Sequence, residues 1–178
     1  MEILNMNQKQ WGEIKEIYFE AFPKTERKPF FTVRRSVTKG KVQILTAVEH
    51  GVLQGFVMVI PYKHMIMVDY LAVSLKIRSR GTGSMILKEV CRLFPNQTIV
   101  LLIERLNDAA ENKEQRIARR NFYVKNGFTS SGIYITGCSG EMEILNFGGV
   151  VSVQEYLELQ QYALGKLMFR LSGIEAME

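Results

Sequence analysis

The order of apolar and polar positions predicts a chain that mixes strands and helices. A short strand at Glu2–Leu4 precedes a helix from about Gln8 to Phe22, whose apolar residues recur at helical spacing. A segment bounded by two prolines ends this helix, because proline does not continue it. A second short helix is predicted over Phe30–Thr38.

The middle of the chain predicts a hairpin and then an alternation of strands and helices. Val42–Glu49 and Gly55–Tyr62 are its two strands, with the turn at His50-Gly51 and Gly55 at the start of the return. The elements predicted next are a strand at Met65–Val73, a helix at Ser84–Phe94, a buried strand at Thr98–Glu104 and a helix at Gln115–Asn126 that Gly127 closes.

The last third predicts two weaker strands, Gly132–Thr136 and Glu141–Leu145, and an amphipathic helix over Val153–Leu171. The order of the predicted elements, in which strands come first and strand–helix–strand–helix–strand follows, indicates a mixed sheet with helices on both faces. This is an α/β or α+β fold. No repeat or linker interrupts the pattern. We therefore expect residues 1–178 to form a single domain, with the helix at about 153–171 as an appended element.

Composition narrows the function classes. The 178 residues are 47% hydrophobic and 23% charged, which is typical of a globular protein, and no apolar run approaches a membrane span. The amino terminus lacks the basic head and apolar stretch of a secretory signal. Cys91 and Cys138 have no metal-ligand spacing. A cytoplasmic protein with no membrane partner and no metal is expected.

The positive charge makes an anionic partner a further hypothesis. Lys and Arg outnumber Asp and Glu by 23 to 18, and nucleic acid is one candidate. The basic residues, however, fall into scattered clusters around Arg34-Arg35, Lys76–Arg80 and Arg116–Arg120. Such clusters are typical of solvated faces, so no nucleic acid partner is predicted. The middle cluster differs because it flanks a glycine turn.

That glycine turn has the features of an anion site. The strand Val68–Val73 is followed by a basic turn with Gly81 and Gly83, and a helix opens there. Backbone N–H groups at a helix start, together with the helix dipole, favour a negative ligand. The spacing matches neither the dinucleotide fingerprint nor the Walker loop, and on its own the turn could equally be a surface cap.

A second motif makes the first one specific. Asn121–Phe128 closes the next helix, one strand later. Together the two motifs resemble the GCN5-related N-acetyltransferase (GNAT) family, with the order and separations fitting over about Val42–Phe128. The matching residues are Arg78, Gly81 and Gly83 in the first motif and Tyr123, Lys125, Gly127 and Phe128 in the second. Arg116 stands where many members have an asparagine, so that contact is not carried over.

The resemblance implies a mostly antiparallel central sheet and acetyl-coenzyme A as co-substrate. It implies that the turn amides cradle the pyrophosphate and that a bulge at the end of the preceding strand binds the pantetheine arm and polarises the thioester carbonyl. The implied cofactor-binding residues are Leu71, Ala72, Val73, Arg78, Ser79, Arg80, Gly81, Thr82, Gly83 and Ser84.

The family's acid position falls on Tyr123, whose phenol would protonate the leaving thiolate. The base is left open between Glu104, Asp69 and a water chain. Glu104 ends a buried strand, where desolvation would tune its carboxylate, but an ion pair with Arg105 or Arg120 is an equal alternative. Asp69 shares a strand face with Leu71 and Val73 and is assigned to the substrate side.

In this family the segment between the first two helices usually lines the acceptor pocket. There Glu26 could hold a cationic amine and Phe30 could pack its apolar part, although an exposed loop is an equal alternative. We predict an N-acetyltransferase that acts by direct transfer on a small-molecule amine or a peptide, as a monomer or homodimer. The alternative is a coenzyme A-binding sensor or partner-binding module without turnover.

Overall fold

A computed structural model describes residues 1–77, 81–137 and 140–177, which lie in two compact units. One unit comprises Met1–Pro61 and Val68–Pro95, and the other comprises Tyr62–Met67 and Asn96–Glu178. The expectation that the whole chain forms a single domain stays a prediction.

The described ranges contain eight strands and six α-helices. The strands are β1 (Glu2–Asn5), β2 (Gln43–Glu49), β3 (Val52–Tyr62), β4 (Met65–Val73), β5 (Thr98–Glu104), β6 (Thr129–Thr136), β7 (Met142–Phe147) and β8 (Glu175–Ala176). The helices are α1 (Trp11–Ala21), α2 (Phe30–Thr38), α3 (Thr82–Leu93), α4 (Lys113–Lys125), α5 (Val153–Leu164) and α6 (Lys166–Ser172). Within the first unit the strand order is β1-β2-β3-β4, and within the second it is β5-β7-β6-β8.

Three elements lie where the sequence predicts them. The bounds of α2, β4 and β5 agree with the predicted Phe30–Thr38, Met65–Val73 and Thr98–Glu104. The strands β4 and β5 are predominantly apolar runs, α2 is amphipathic, and prolines or turn residues precede all three. Local pattern therefore suffices to define them.

The β2–β3 hairpin corrects one prediction. His50 and Gly51 both have positive φ, 50° and 77°, so they form a two-residue turn and β3 begins at Val52 rather than at Gly55. Gly55 lies inside the strand instead. A Cβ on Gly55 would sit 2.6 Å from the carbonyl oxygen of Ala72 in β4, so only glycine fits at this close approach.

The carboxyl-terminal segment corrects a second prediction. The expected continuous helix over Val153–Leu171 is two helices, because Gly165 adopts φ 81° and ψ 153°, a conformation that no helix contains. The chain then adds β8, which pairs with the end of β6 and is absent from the sequence-based prediction. A strand of two residues is too short for its sequence pattern to predict it.

In the first unit, α1 buries the face that its periodicity predicted. Ile14 and Tyr18 have no exposed surface, and the ring of Tyr18 lies 4.9 Å from that of Tyr70 in β4. Burial of large apolar side chains such as these supplies most of the favourable free energy of folding. This packing places α1 against the strand that leads to the candidate site.

In the second unit, a buried ion pair connects α4 to β7. Glu143 is opposite Ile103 in the antiparallel β5–β7 ladder, and its carboxylate is only 4% exposed. The Arg120 guanidinium on α4 donates to both carboxylate oxygens, at 3.1 and 3.4 Å. A buried carboxylate needs such a partner, since leaving it unpaired out of water is costly.

We expect Arg120→Met to destabilise the protein by about 3 kcal/mol, at the lower end of values for breaking a buried pair, because Arg120 is 32% exposed. Urea denaturation gives the free energy of unfolding. Arg92→Met is the matched control, since Arg92 pairs with Glu89 on the surface and should change little. The double variant Arg120→Met/Glu143→Leu should recover most of the loss. An equal loss in the double variant would show that packing, not charge, holds α4 here.

Candidate active site

The carboxyl end of β4 holds the three residues predicted to contact the acyl arm. Ala72 is buried, and Leu71 and Val73 are half-buried on the opposite face of the strand. The glycine at position 55 lets the backbone of β3 lie directly against this stretch. The bulge expected at Leu71–Val73 stays a prediction.

The predicted anion site lies at the start of α3. Gly81 precedes the helix with φ 83°, in the left-handed region that favours glycine, and its carbonyl accepts the first helical hydrogen bond, from Met85, at 3.1 Å. The N–H groups of Thr82, Gly83 and Ser84 precede that bond and so have no acceptor within the helix. Three donors thus remain for an external anion.

Other features of this turn agree with an anionic ligand. The first turn of α3 carries no acidic residue, and a Cβ at Gly81 would meet no atom within 4 Å, so the cap is open. Lys76 is exposed on the short 3-10 helix that leads to it. The residues present therefore fit a phosphate group. Arg78, Ser79 and Arg80, also predicted to bind the cofactor, lie outside the described residues, as does Cys138.

An ion pair fixes the α1–α2 connection to β4. Lys28 Nζ donates to both carboxylate oxygens of Asp69, at 2.8 and 2.7 Å, and the Asp69 side chain is only 15% exposed. Sequence reasoning missed Lys28 as a partner. Because both oxygens of Asp69 already accept hydrogen bonds, this carboxylate is a structural anchor in the described protein.

Two tyrosines fix the same connection through its backbone. The Tyr70 hydroxyl donates to the carbonyl of Glu26 at 3.0 Å and accepts from the N–H of Lys28 at 3.1 Å, while the Tyr18 hydroxyl donates to the Lys28 carbonyl at 3.2 Å. Burial raises the pKa of Tyr70 and of Tyr18, and the charge of Asp69 raises them further. Both phenols therefore stay neutral donors.

The two predicted acceptor-side residues occupy different surroundings. The side chain of Glu26 is exposed, as the loop alternative expected, although its backbone is anchored. Phe30 is half-buried and contacts the rings of Trp11 and Tyr18, each at 5.7 Å between centroids. Phe30 thus packs against α1, and its contact with substrate stays a prediction.

Tyr123, the predicted acid, lies in the last turn of α4, and the helix end determines its position. The N–H of Phe128 donates to the Tyr123 carbonyl at 3.1 Å, and that of Gly127 donates to the Val124 carbonyl at 3.0 Å. Gly127 has φ 87°, and the rings of Tyr123 and Phe128 contact at 5.8 Å. These are the parts of a Schellman motif, so the predicted glycine cap is confirmed.

The Tyr123 hydroxyl is chemically distinct from the other phenols. It has no hydrogen-bond partner in the part of the chain that the structure describes. Burial raises the pKa of Tyr123 to about 12, and the positive charge of Arg119 one turn earlier only partly opposes that rise. The group is therefore a neutral donor with its proton free to bind a ligand.

Glu104, the first candidate base, is surrounded by donors. Its Oε1 accepts from Asn112 at 2.9 Å and lies 3.2 Å from Arg116, and its Oε2 accepts from Arg119 at 3.0 Å. The side chain is 17% exposed. Both oxygens are thus used, and a base role for Glu104 would require it to release one of these partners. That role stays a prediction.

The partners of Glu104 differ from the two proposed alternatives. Arg105 pairs with Glu141 instead, at 3.1 Å, and Arg120 pairs with the buried glutamate of β7. Arg116 and Arg119 lie three residues apart on one face of α4, but that spacing does not by itself indicate a partner on β5. Arg116 also donates to the carbonyl of Arg105 at 2.8 Å, so both arginines are engaged within a cluster that holds a single carboxylate.

The described residues form neither a metal site nor a membrane span. No three His, Cys, Asp or Glu side chains in residues 1–77, 81–137 and 140–177 form a group that would hold a metal ion. No helix in those ranges is both long and apolar enough to cross a membrane.

Solved structures share this fold at low sequence identity. A protein from Bacteroides thetaiotaomicron, described as an acetyltransferase of the GNAT family, has a TM-score of 0.75 at 19% identity, covering 98% of this chain and 100% of its own. An aminoglycoside 6'-N-acetyltransferase complexed with coenzyme A has a TM-score of 0.66 at 15% identity, covering 83% and 96%. The ribosomal-protein-alanine N-acetyltransferase from Brucella melitensis has a TM-score of 0.60 at 14% identity, covering 83% and 99%.

These likenesses confirm the predicted fold class, a mixed and mostly antiparallel sheet with helices on both faces. The chain matches no curated protein. The family model described as "Acetyltransferase (GNAT) domain" matches residues 40–130, which include both motifs singled out from the sequence. The chain therefore belongs to the GNAT family of acetyltransferases.

Proposed function

We propose that the protein transfers an acetyl group from acetyl-coenzyme A directly to a primary amine. The observation that carries the proposal is Tyr123, whose hydroxyl is held by the helix end with its proton uncommitted among the described residues. Tyr123 is half-buried and not sealed in the core, so a bound ligand can reach this donor. The related aminoglycoside enzyme, with coenzyme A bound, supports the choice of cofactor.

The bound thioester supplies an electrophilic carbonyl carbon, which an amine nitrogen attacks as the carbon–sulfur bond breaks. The amides of Thr82, Gly83 and Ser84 would bind phosphate through their free N–H groups. The backbone of Leu71–Val73 would hold the acyl arm and donate to the oxygen that becomes negative. These residues bind and orient; they transfer no proton.

For Tyr123 the raised pKa favours hydrogen bonding over complete proton transfer. A thiol has a pKa of about 8.5, so transfer from a phenol whose pKa is about 12 would cost roughly 4–5 kcal/mol. A hydrogen bond that strengthens as the sulfur gains charge avoids that cost and still lowers the barrier. The thiolate then takes its proton from solvent.

For the amine proton, a water chain is the acceptor that the geometry favours. The oxygens of Glu104 and of Asp69 already accept from arginine, asparagine and lysine side chains. A carboxylate used in this way must lose a charge-assisted bond before it accepts a proton. Water, or an amine that arrives neutral, needs no such rearrangement.

We expect Tyr123→Phe to lower kcat by about 10²–10³-fold while the Kd for coenzyme A stays nearly unchanged, as for the loss of one donor to a developing charge. Stopped-flow thiol release measures the chemical step, and calorimetry measures the Kd. Tyr134→Phe, which removes a hydroxyl from β6 in the same unit, is the control and should retain full kcat. An unchanged kcat in Tyr123→Phe, with chemistry rate-limiting, would remove Tyr123 from the mechanism.

The pH profile of the wild-type protein checks the same hydroxyl. The neutral phenol is the active form, and because its pKa is about 12 it persists at lower pH and is lost only as the pH rises through that value. With an acceptor α-amine of pKa about 8, kcat should rise to a plateau by about pH 9 and stay level to pH 10. A fall in kcat with an apparent pKa near 10 would contradict this environment for Tyr123.

We expect Gly83→Val to weaken coenzyme A binding at least about tenfold, or about 1.4 kcal/mol, because a branched side chain would stand beside the free amides of α3. Calorimetry gives the Kd. Gly12→Val is the matched control: Gly12 is likewise the second residue of a helix, and a Cβ there meets no atom within 4 Å. Unchanged affinity in a folded Gly83→Val protein would remove the phosphate assignment.

Binding of coenzyme A by the wild-type protein with no thiol release from any amine would instead favour the sensor alternative.

A further inference from the structure

Positive charge is concentrated on the connection between α1 and α2 and on α2 itself. Residues 22–38 contain five basic side chains and one acidic side chain, a formal charge of +4 in a chain whose net charge is +5. The basic ones are Lys24, Arg27, Lys28, Arg34 and Arg35, and the acidic one is Glu26. Such an excess of basic over acidic side chains within 17 residues favours a negatively charged partner.

Most of this charge has no carboxylate partner. Lys28 is neutralised by Asp69, but no carboxylate among the described residues lies within salt-bridge distance of the other four basic side chains. The arginines of α4 show the opposite behaviour, since Arg116, Arg119 and Arg120 are all paired with glutamates. The two basic clusters look alike in sequence, but only the one in residues 22–38 leaves basic side chains without a carboxylate partner.

Two of the free cations are held in place by aromatic rings. The Arg27 guanidinium lies 4.4 Å from the ring centre of Phe19, and that of Arg34 lies 5.3 Å from the ring of Trp11. Both rings contact Phe30, at 6.1 and 5.7 Å between centroids. The cation–π attraction restrains each guanidinium, and its N–H groups, which can bind a carboxylate, have no carboxylate partner among the described residues.

The same segment is anchored next to the strand that would hold the acyl arm. The ion pair to Asp69 lies two residues before Leu71 on the same strand face, and the backbone of Glu26 and Lys28 is fixed by tyrosine hydroxyls. The cations are therefore carried by an ordered segment that adjoins the predicted chemistry. Ordering before binding lowers the entropic cost of recognising a ligand.

We infer that Arg27 and Arg34, with Phe30 between the rings that support them, bind an anionic group of the acceptor. This inference rests on the proposed function and specifies its substrate class: the acceptor is an amine that also carries a side-chain carboxylate, either a free acidic amino acid or the amino terminus of an acidic peptide. A polycation such as an aminoglycoside would meet like charge at this surface and is disfavoured.

Matched acceptors test this class by thiol release at saturating acetyl-coenzyme A. Glutamate is compared with glutamine, and a Ser-Glu-Glu tripeptide with Ser-Gln-Gln and Ser-Lys-Lys, all tripeptides being amidated at the carboxyl end. We expect kcat/KM to be at least about tenfold higher for the acidic member of one pair, which also identifies the source as amino acid or peptide. The preference should shrink as the salt concentration rises.

Substitution of the two arginines tests whether they cause the preference for the acidic acceptor. Arg27→Gln and Arg34→Gln should each raise KM for the acidic acceptor about tenfold, with KM for acetyl-coenzyme A and for the amide acceptor unchanged. Lys39→Gln, an equal charge change just beyond the carboxyl end of α2, is the control and should leave every KM as in the wild type. Thermal unfolding checks that all three variants are folded.

Calorimetry with coenzyme A present separates this inference from the proposed function, because it measures acceptor binding without turnover. Turnover that is as good or better with the amide or lysine acceptors overturns the anionic site and leaves the acetyltransferase standing. Acidic peptide that binds through Arg27 and Arg34 without thiol release supports the anionic site and overturns the acetyltransferase. Equal binding of acidic and amide peptides by wild type and variants overturns the anionic site.

Discussion

A carboxylate that leaves water must be compensated by a cation or by several donors, and three strand carboxylates of this protein obey that constraint. Asp69 on β4 forms an ion pair with Lys28. Glu104 on β5 pairs with Arg116 and Arg119, and Glu143 on β7 pairs with Arg120. Each pair connects a strand to the segment or helix beside it. The positions of the α1–α2 connection and of α4 follow from these pairs.

The same constraint decides which charged groups stay free to bind a ligand. Pairing occupies the oxygens of two carboxylates that sequence reasoning regards as candidate bases, and it engages the arginines of α4 with glutamates. Among the described residues, the unpaired cations of residues 22–38 and the N–H groups that open α3 stay available to a ligand. In our proposal, this positive potential falls on the cofactor phosphates and on the acceptor's anionic group.

Tyr123 depends on backbone geometry rather than on charge. The left-handed glycine at 127 reverses the chain, so that Phe128 returns onto the Tyr123 ring and hydrogen-bonds its carbonyl. Burial in this arrangement raises the pKa of the phenol and keeps it protonated. The second sequence motif is thus a helix ending that places one hydroxyl, which gives its spacing a physical reason.

By itself the sequence determined the elements whose information is local. Local pattern and breakers define α2, β4 and β5, the positive φ of Gly127 follows from its place after a helix, and the two motifs indicate the family. The role of Tyr123 stays a prediction. Tertiary structure alone decided that Gly55 belongs inside β3, since the reason is a carbonyl on another strand. It also decided which cation each carboxylate takes, because ion pairs form between side chains far apart in sequence, where neither periodicity nor composition carries a signal.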